Sequence, residues 1–191
     1  MRFLDELRRR PAQLSDHLPW AALVAPGVVL NKDGSFLTAL AFRGPDLESS
    51  TEDELMAVRA RLNNALKRLG TGWCLHVEAR RRPADPYPAA ETEVTAAWLV
   101  DAERQALFES AEPAFETDFT LSLTWLPPAD ETRRMERLMF DGLGKAGRDW
   151  RTALETFRRE ADAAIDLLAD ALPEARPLAD DALLTWLHAC A

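Results

Sequence analysis

The sequence predicts an α+β fold: a mostly antiparallel four-stranded sheet covered on one face by helices, with a helical C-terminal part. Three observations carry this expectation. Two apolar runs, 23–30 and 36–42, flank the turn Asn31-Lys32-Asp33-Gly34, and Asp-Gly between such runs signals a hairpin because Gly34 tolerates positive φ. Residues 115–125, FETDFTLSLTW, alternate, so Phe115, Thr117, Phe119, Leu121, Leu123 and Trp125 share one face and Glu116, Asp118, Thr120, Ser122 and Thr124 the wet one. Residues 148–172 repeat apolar side chains every 3.6 residues, the period of a helix with one buried stripe.

The elements follow in order. Residues 2–10 place Phe3, Leu4 and Leu7 on one side of a short helix, with Arg8, Arg9 and Arg10 behind them, and Pro11 ends it. After the hairpin, Thr51 and Glu54 make a capping box that starts a helix. Its apolar positions are Leu55, Val58, Leu62, Leu66 and Leu69, and Gly70 and Gly72 release a strand over 73–80. Residues 83–96 are rich in Pro, Ala and acidic side chains and read as a loop. A helix over 96–110 carries Trp98, Leu99, Ala102, Ala106 and Leu107. After strand 115–125, Pro127-Pro128 leads into a helical pattern over 131–140, a glycine-rich turn, and the long helix with Trp150, Leu154, Phe157, Ala161, Ile165, Leu168 and Leu172 as its stripe. Pro173 and Pro177 break that helix, and Asp180 is expected to cap a last one over 181–190. The domain reading is an arm or short helix over 1–19, an α+β domain over 20–172, and a helical connector over 173–191.

Composition narrows the function classes. The chain of 191 residues carries 47% apolar and 29% charged side chains, the balance of a globular domain. Its net charge of −9 argues against sequence-independent nucleic-acid binding, which needs clustered Lys and Arg. Residues 1–82 hold 13 basic and 10 acidic side chains, whereas 83–191 hold 10 and 22. That polarity either orients the domain against a partner or keeps an acidic protein in solution. The two cysteines, Cys74 and Cys190, form no disulfide framework. Neither a membrane span nor an apolar signal-peptide centre is evident, so a cytoplasmic location is expected.

No catalytic, cofactor-binding or metal-binding constellation emerges. Gly142-Leu143-Gly144-Lys145-Ala146-Gly147 matches a dinucleotide fingerprint by letter, but a helical pattern precedes it where a strand is required. The phosphate-loop pattern fails too, because Met139 stands where Gly is needed and Ala146 where a hydroxyl would ligate Mg²⁺. His17, His76 and His188 have no metal-ligand spacing, and Cys74 and His76 merely alternate onto one strand face. Two basic clusters are candidate contacts for an acidic partner or an anionic membrane: Arg8, Arg9 and Arg10, which fit an ordinary docking helix or arm as well, and Arg80, Arg81 and Arg82, which equally suit protection of a strand edge and solubility.

The wording LPWAALVAPGVVLNKDGSF (18–36), with FRGPDL, TEDEL, ARLNNALKRLG and GW after it, resembles the N-terminal region of the conjugal-transfer ATPases of type IV secretion systems, the TrbE/VirB family. The similarity continues through HVEARRRP, AAWLVDAERQALFE, LTWLPP and LPEARPLADDALLTWLHAC. The resemblance implies a full-length protein that hydrolyses ATP to power pilus assembly and DNA or protein transfer. It also implies an N-terminal domain that docks on inner-membrane components, and on its own oligomer, at the cytoplasmic face of the inner membrane. ATP and Mg²⁺ are then expected only in a C-terminal nucleotide-binding domain beyond Ala191, so the chain reads as an excised or truncated non-catalytic N-terminal domain. No position here matches the family's catalytic residues. Two alternatives are a stand-alone small nucleotide-binding protein or enzyme using the 142–147 loop, and a peripheral membrane module using the two arginine clusters.

Overall fold

The dipeptide Pro26-Gly27 sits inside what the apolar pattern reads as one strand, and it turns the chain back on itself. The computed structural model describes residues 17–44, 49–88, 94–110, 115–128 and 149–191. These form six strands and four helices: β1 (Trp20–Ala25), β2 (Val28–Asn31), β3 (Phe36–Phe42), α1 (Glu52–Leu66), β4 (Trp73–Pro83), α2 (Thr95–Ser110), β5 (Phe115–Trp125), α3 (Asp149–Ala169), β6 (Arg176–Pro177) and α4 (Asp180–Ala189). The α+β class is as expected, but the sheet has six strands rather than four. The run 23–30 splits into β1 and β2, antiparallel to each other, because Gly27 adopts φ 65° after a proline that presets its own φ. The extra β6 is only two residues long and leaves no periodic signal. The expected elements over 2–10, 131–140 and 142–147 lie outside the described residues.

The strands run in the order β1-β2-β3-β5-β4, with β6 on β3. β2 pairs antiparallel with Phe36 and Leu37 of β3, and β6 pairs antiparallel with Leu40 and Ala41. β6 therefore continues along β3 where the short β2 stops. The hairpin turn is closed by Asn31 N–H donating to the Ser35 carbonyl at 2.8 Å and by Ser35 N–H and Oγ–H donating to Asp33 Oδ1 at 2.9 and 2.6 Å.

The chain divides into two compact units, Met1–Val77 with Thr120–Ala191, and Glu78–Phe119. The first holds the core. On one face of the sheet, α3 packs Leu154, Phe157, Ala161, Ile165 and Leu168 against Val28, Phe36, Leu40, Leu121, Leu123 and Trp125. Phe157 is fully buried, with its ring 5.5 Å from Phe36 and 5.6 Å from Trp73. Burying one such ring is worth about 1.5–3 kcal/mol. α3 ends at Ala169, and the Leu168 carbonyl accepts both the Ala171 and Leu172 amides in a closing turn.

Helix α1 has the expected capping box. The Thr51 amide and hydroxyl donate to Glu54 Oε2 at 2.8 and 2.9 Å, which holds that carboxyl below its usual range. Its buried line differs by one residue from the expected stripe. Ala65 is buried and Leu66 is 40% exposed, so the helix turns the small side chain rather than the large one toward the core.

The C-terminal helical part covers the other face. Leu183 and Leu187 of α4 are buried against Val29 and Ala39. The wet face expected for β5 is also corrected. Thr120 and Ser122 are buried as well as Leu121 and Leu123, whereas 115–118 are exposed on both faces. Asp180 does not cap α4. The N-cap is Ala179, and Asp180 Oδ1 instead accepts the Gly27 amide at 2.6 Å, tying the β1–β2 turn to the helix start.

Candidate functional site

The unit Glu78–Phe119 is built from the distal half of β4, the helix α2 and the first half of β5. Successive residues of a strand point to opposite faces, so the arginine triplet is divided. Arg82 lies on the face of Glu116 and Asp118. Its Nε donates to Asp118 Oδ2 at 3.0 Å, its Nη2 to Glu116 Oε2 at 2.6 Å and its Nη1 to Asp85 Oδ1 at 3.1 Å. Partial burial works against the charged guanidinium, but the three carboxylates outweigh it and hold its pKa above the ordinary arginine value. Arg81 turns to the other face and lies over the Phe115 ring, 4.2 Å from its centroid. Arg80 is exposed and makes no ion pair among the described residues. Arg8, Arg9 and Arg10 lie outside those residues.

Tyr87 pins the loop after β4 to α2. Its hydroxyl donates to Asp101 Oδ1 at 2.6 Å, and its ring lies 5.8 Å from that of Phe108. The phenol is raised above its usual pKa, first by this hydrogen bond to a carboxylate, then by burial and by the charge of Asp101, with Arg104 opposing.

Sequence periodicity missed the exposure of α2. The helix has 16 residues and buries none of them. Trp98 is 56%, Leu99 63%, Val100 49% and Leu107 66% exposed. The signal was present: apolar side chains occur on several sides of this helix, where a core-facing helix confines them to one stripe. Soluble surfaces rarely gather so many large apolar groups unless something binds there.

Elsewhere the chemistry is sparse. Cys74 Sγ lies 3.8 Å from His76 Nε2 on exposed β4, and neither cysteine is in a disulfide. Among the described residues, no group of three His, Cys, Asp or Glu side chains is placed to hold a metal ion. No helix there is long and apolar enough to cross a membrane. One cleft of about 440 Å³ is lined by Arg61, Asn64, Leu167 and Asp170, and another of about 420 Å³ by Trp20, Leu184, Thr185, Leu187 and His188. Neither lining contains a nucleophile beside a base oriented by a third group.

Residues 27–133 match the family described as type IV secretion system ATPase VirB4/TrbE, N-terminal domain. The chain is 38% identical over 161 residues to a protein named conjugal transfer protein TrbE from Rhizobium radiobacter, an alignment covering 81% of this chain and 19% of that protein. It is 36% identical over 147 residues to a protein from Sinorhizobium fredii named as the first part of a probable conjugal transfer protein TrbE, covering 74% of this chain and 97% of that protein. The chain thus spans about one fifth of the first relative's length and nearly all of the second's.

Proposed function

The chain belongs to the family of VirB4/TrbE type IV secretion ATPase N-terminal domains, and from that premise we propose that it is a non-catalytic docking and assembly domain of a conjugal-transfer ATPase. The observation that carries the reading is the contrast within the chain. A closed core is built around Phe157, while residues 78–119 expose an apolar helix that nothing in the catalytic repertoire requires. A scaffold with a closed core and a large apolar outer surface suits recognition.

In this role the partners are inner-membrane components of the secretion machine, met at the cytoplasmic face of the inner membrane. Self-association is carried by the full-length ATPase. ATP and Mg²⁺ act on a nucleotide-binding domain other than this one, where hydrolysis drives pilus assembly and transfer. Arg8, Arg9, Arg10, Arg80 and Arg81 remain candidates for partner or membrane contact. Arg82 is a weaker candidate because three carboxylates already engage it.

The test has two arms. The purified chain is heated with and without excess MgATP, and it is incubated with solubilised inner membranes from cells carrying or lacking the secretion genes. The expected outcome is an unchanged melting temperature and co-purification of a secretion-system membrane subunit. A saturable stabilisation following RT ln(1 + [L]/Kd) would overturn the non-catalytic assignment. Failure to retain any membrane subunit would overturn the docking role.

A further inference from the structure

Helix α4 leaves a cleft on its side of the sheet. Leu183 and Leu187 turn inward onto Val29 and Ala39, with Trp20 and Trp186 packed beside them. The next residue along the helix, Leu184, is 43% exposed. Trp20, Leu184, Thr185, Leu187 and His188 line a cleft of about 420 Å³ where the start of β1 meets the second half of α4. An indole and two leucine side chains make up most of that lining, and none of the five is a carboxylate or an ammonium. Walls of this kind favour an apolar occupant, because filling the cleft removes hydrocarbon surface from water.

The path of the chain selects among apolar occupants. Trp20 is both a wall of the cleft and the first residue of β1. The sequence ahead of it carries Phe3, Leu4 and Leu7, followed by Arg8, Arg9 and Arg10. Leu7 stands 13 positions before Trp20. Such a tether spans at most about 43 Å when extended, several times the width of a cleft of this size. An apolar segment held on it meets the cleft at an effective concentration on the order of millimolar. A second copy or a separate protein at ordinary concentrations has no such advantage.

We propose that the occupant of the α4 cleft is the N-terminal segment of the same chain, with Phe3, Leu4 and Leu7 seated against Trp20, Leu184 and Leu187. The contact covers Leu184 and completes the α4 side of the unit. It also presents Arg8, Arg9 and Arg10 from a fixed place beside the start of β1. The inference goes beyond the docking role above and does not depend on it.

The experiment uses the whole chain with Cys74→Ser and Cys190→Ser and with two new cysteines, Asp5→Cys and Thr185→Cys. Oxidation in dilute solution is expected to give a disulfide within one chain. It should form at least about tenfold faster than in the same chain carrying L4S/L7S or L184S, with circular dichroism unchanged. Equal rates in the three chains mean that the tether alone brings the cysteines together, and they overturn the proposal. A disulfide that joins two chains and grows with protein concentration also overturns it, since the occupant is then a second copy. A second measurement needs no added cysteine. Amide hydrogen exchange over 180–189 of the unaltered chain is expected to quicken severalfold in L4S/L7S, and exchange that stays the same there overturns the proposal.

Discussion

Phe157 and Trp98 are aromatic residues on helices of one chain, and they meet opposite environments. Phe157 has no exposed surface and lies among Phe36, Trp73 and Trp125. Trp98 is 56% exposed on a helix that buries nothing. The first belongs to a unit closed on both faces of its sheet, by α3 and α1 on one side and by α4 on the other. The second belongs to 78–119, where the specific contacts are polar or aromatic pairs at the surface: Arg82 with its carboxylates, Tyr87 with Asp101, and Arg81 over Phe115. The difference teaches that apolar burial is concentrated in one unit. Apolar area removed from water holds the first together, whereas the second leaves large apolar side chains of its helix in water.

Substitutions can break or sharpen that contrast. Phe157→Ala should have the largest effect, a loss of about 3–5 kcal/mol from the cavity left between α3 and the sheet, read as a lower urea midpoint. Gly72→Ala comes next. Gly72 holds φ 91°, and an added Cβ would stand 2.5 Å from the Leu126 carbonyl oxygen, so backbone must move. A loss of about 2 kcal/mol or more is expected in the same measurement. Asp180→Ala removes the acceptor of the Gly27 amide and an acidic group from the start of α4, and should cost about 1.5 kcal/mol, with Asp180→Asn recovering part of it.

The second unit should respond through titration rather than global stability. Tyr87 is the chain's single tyrosine, so phenolate absorbance reports on this unit alone. Its midpoint should lie above the ordinary value of 10.0, and Asp101→Asn should bring it down. Because the folded state favours the neutral phenol, its stabilising contribution is complete below the ordinary tyrosine range and is lost as pH rises through the higher folded value. A midpoint unmoved by Asp101→Asn would show that the Tyr87–Asp101 pair does not set it. The smallest effect is expected from Leu107→Ser, within about 0.5 kcal/mol by urea unfolding, as befits an exposed position. A loss comparable to that of Phe157→Ala would erase the contrast between the units.

Much of the fold was legible because its signals are local. The Asp33-Gly34 turn, the Thr51–Glu54 capping box and the stripe on α3 each depend on residues within a turn or two of one another, and all three form as read. The Pro26-Gly27 turn was equally local and was hidden only by the apolar residues on either side. Arg80–Arg82 reads as one basic patch along the chain, yet strand alternation sends Arg81 to one face and Arg82 to the other. The exposed apolar face of α2 was harder to find, since an apolar side chain looks the same in a string of letters whether or not something covers it.

By itself, then, the sequence determined the α+β class, the hairpin, the capped and striped helices, and the kinship with the VirB4/TrbE N-terminal domains. Only the tertiary structure decided that α4 packs Leu183 and Leu187 on Val29 and Ala39, that Thr120 and Ser122 are buried, and that Asp180 serves a glycine amide 153 positions away instead of its own helix. It also decided that Arg82 is neutralised while Leu99 and Leu107 stay in water. The physical reason is range: turns and caps are settled between neighbours in the chain, whereas burial and charge pairing depend on what distant segments bring to the same place.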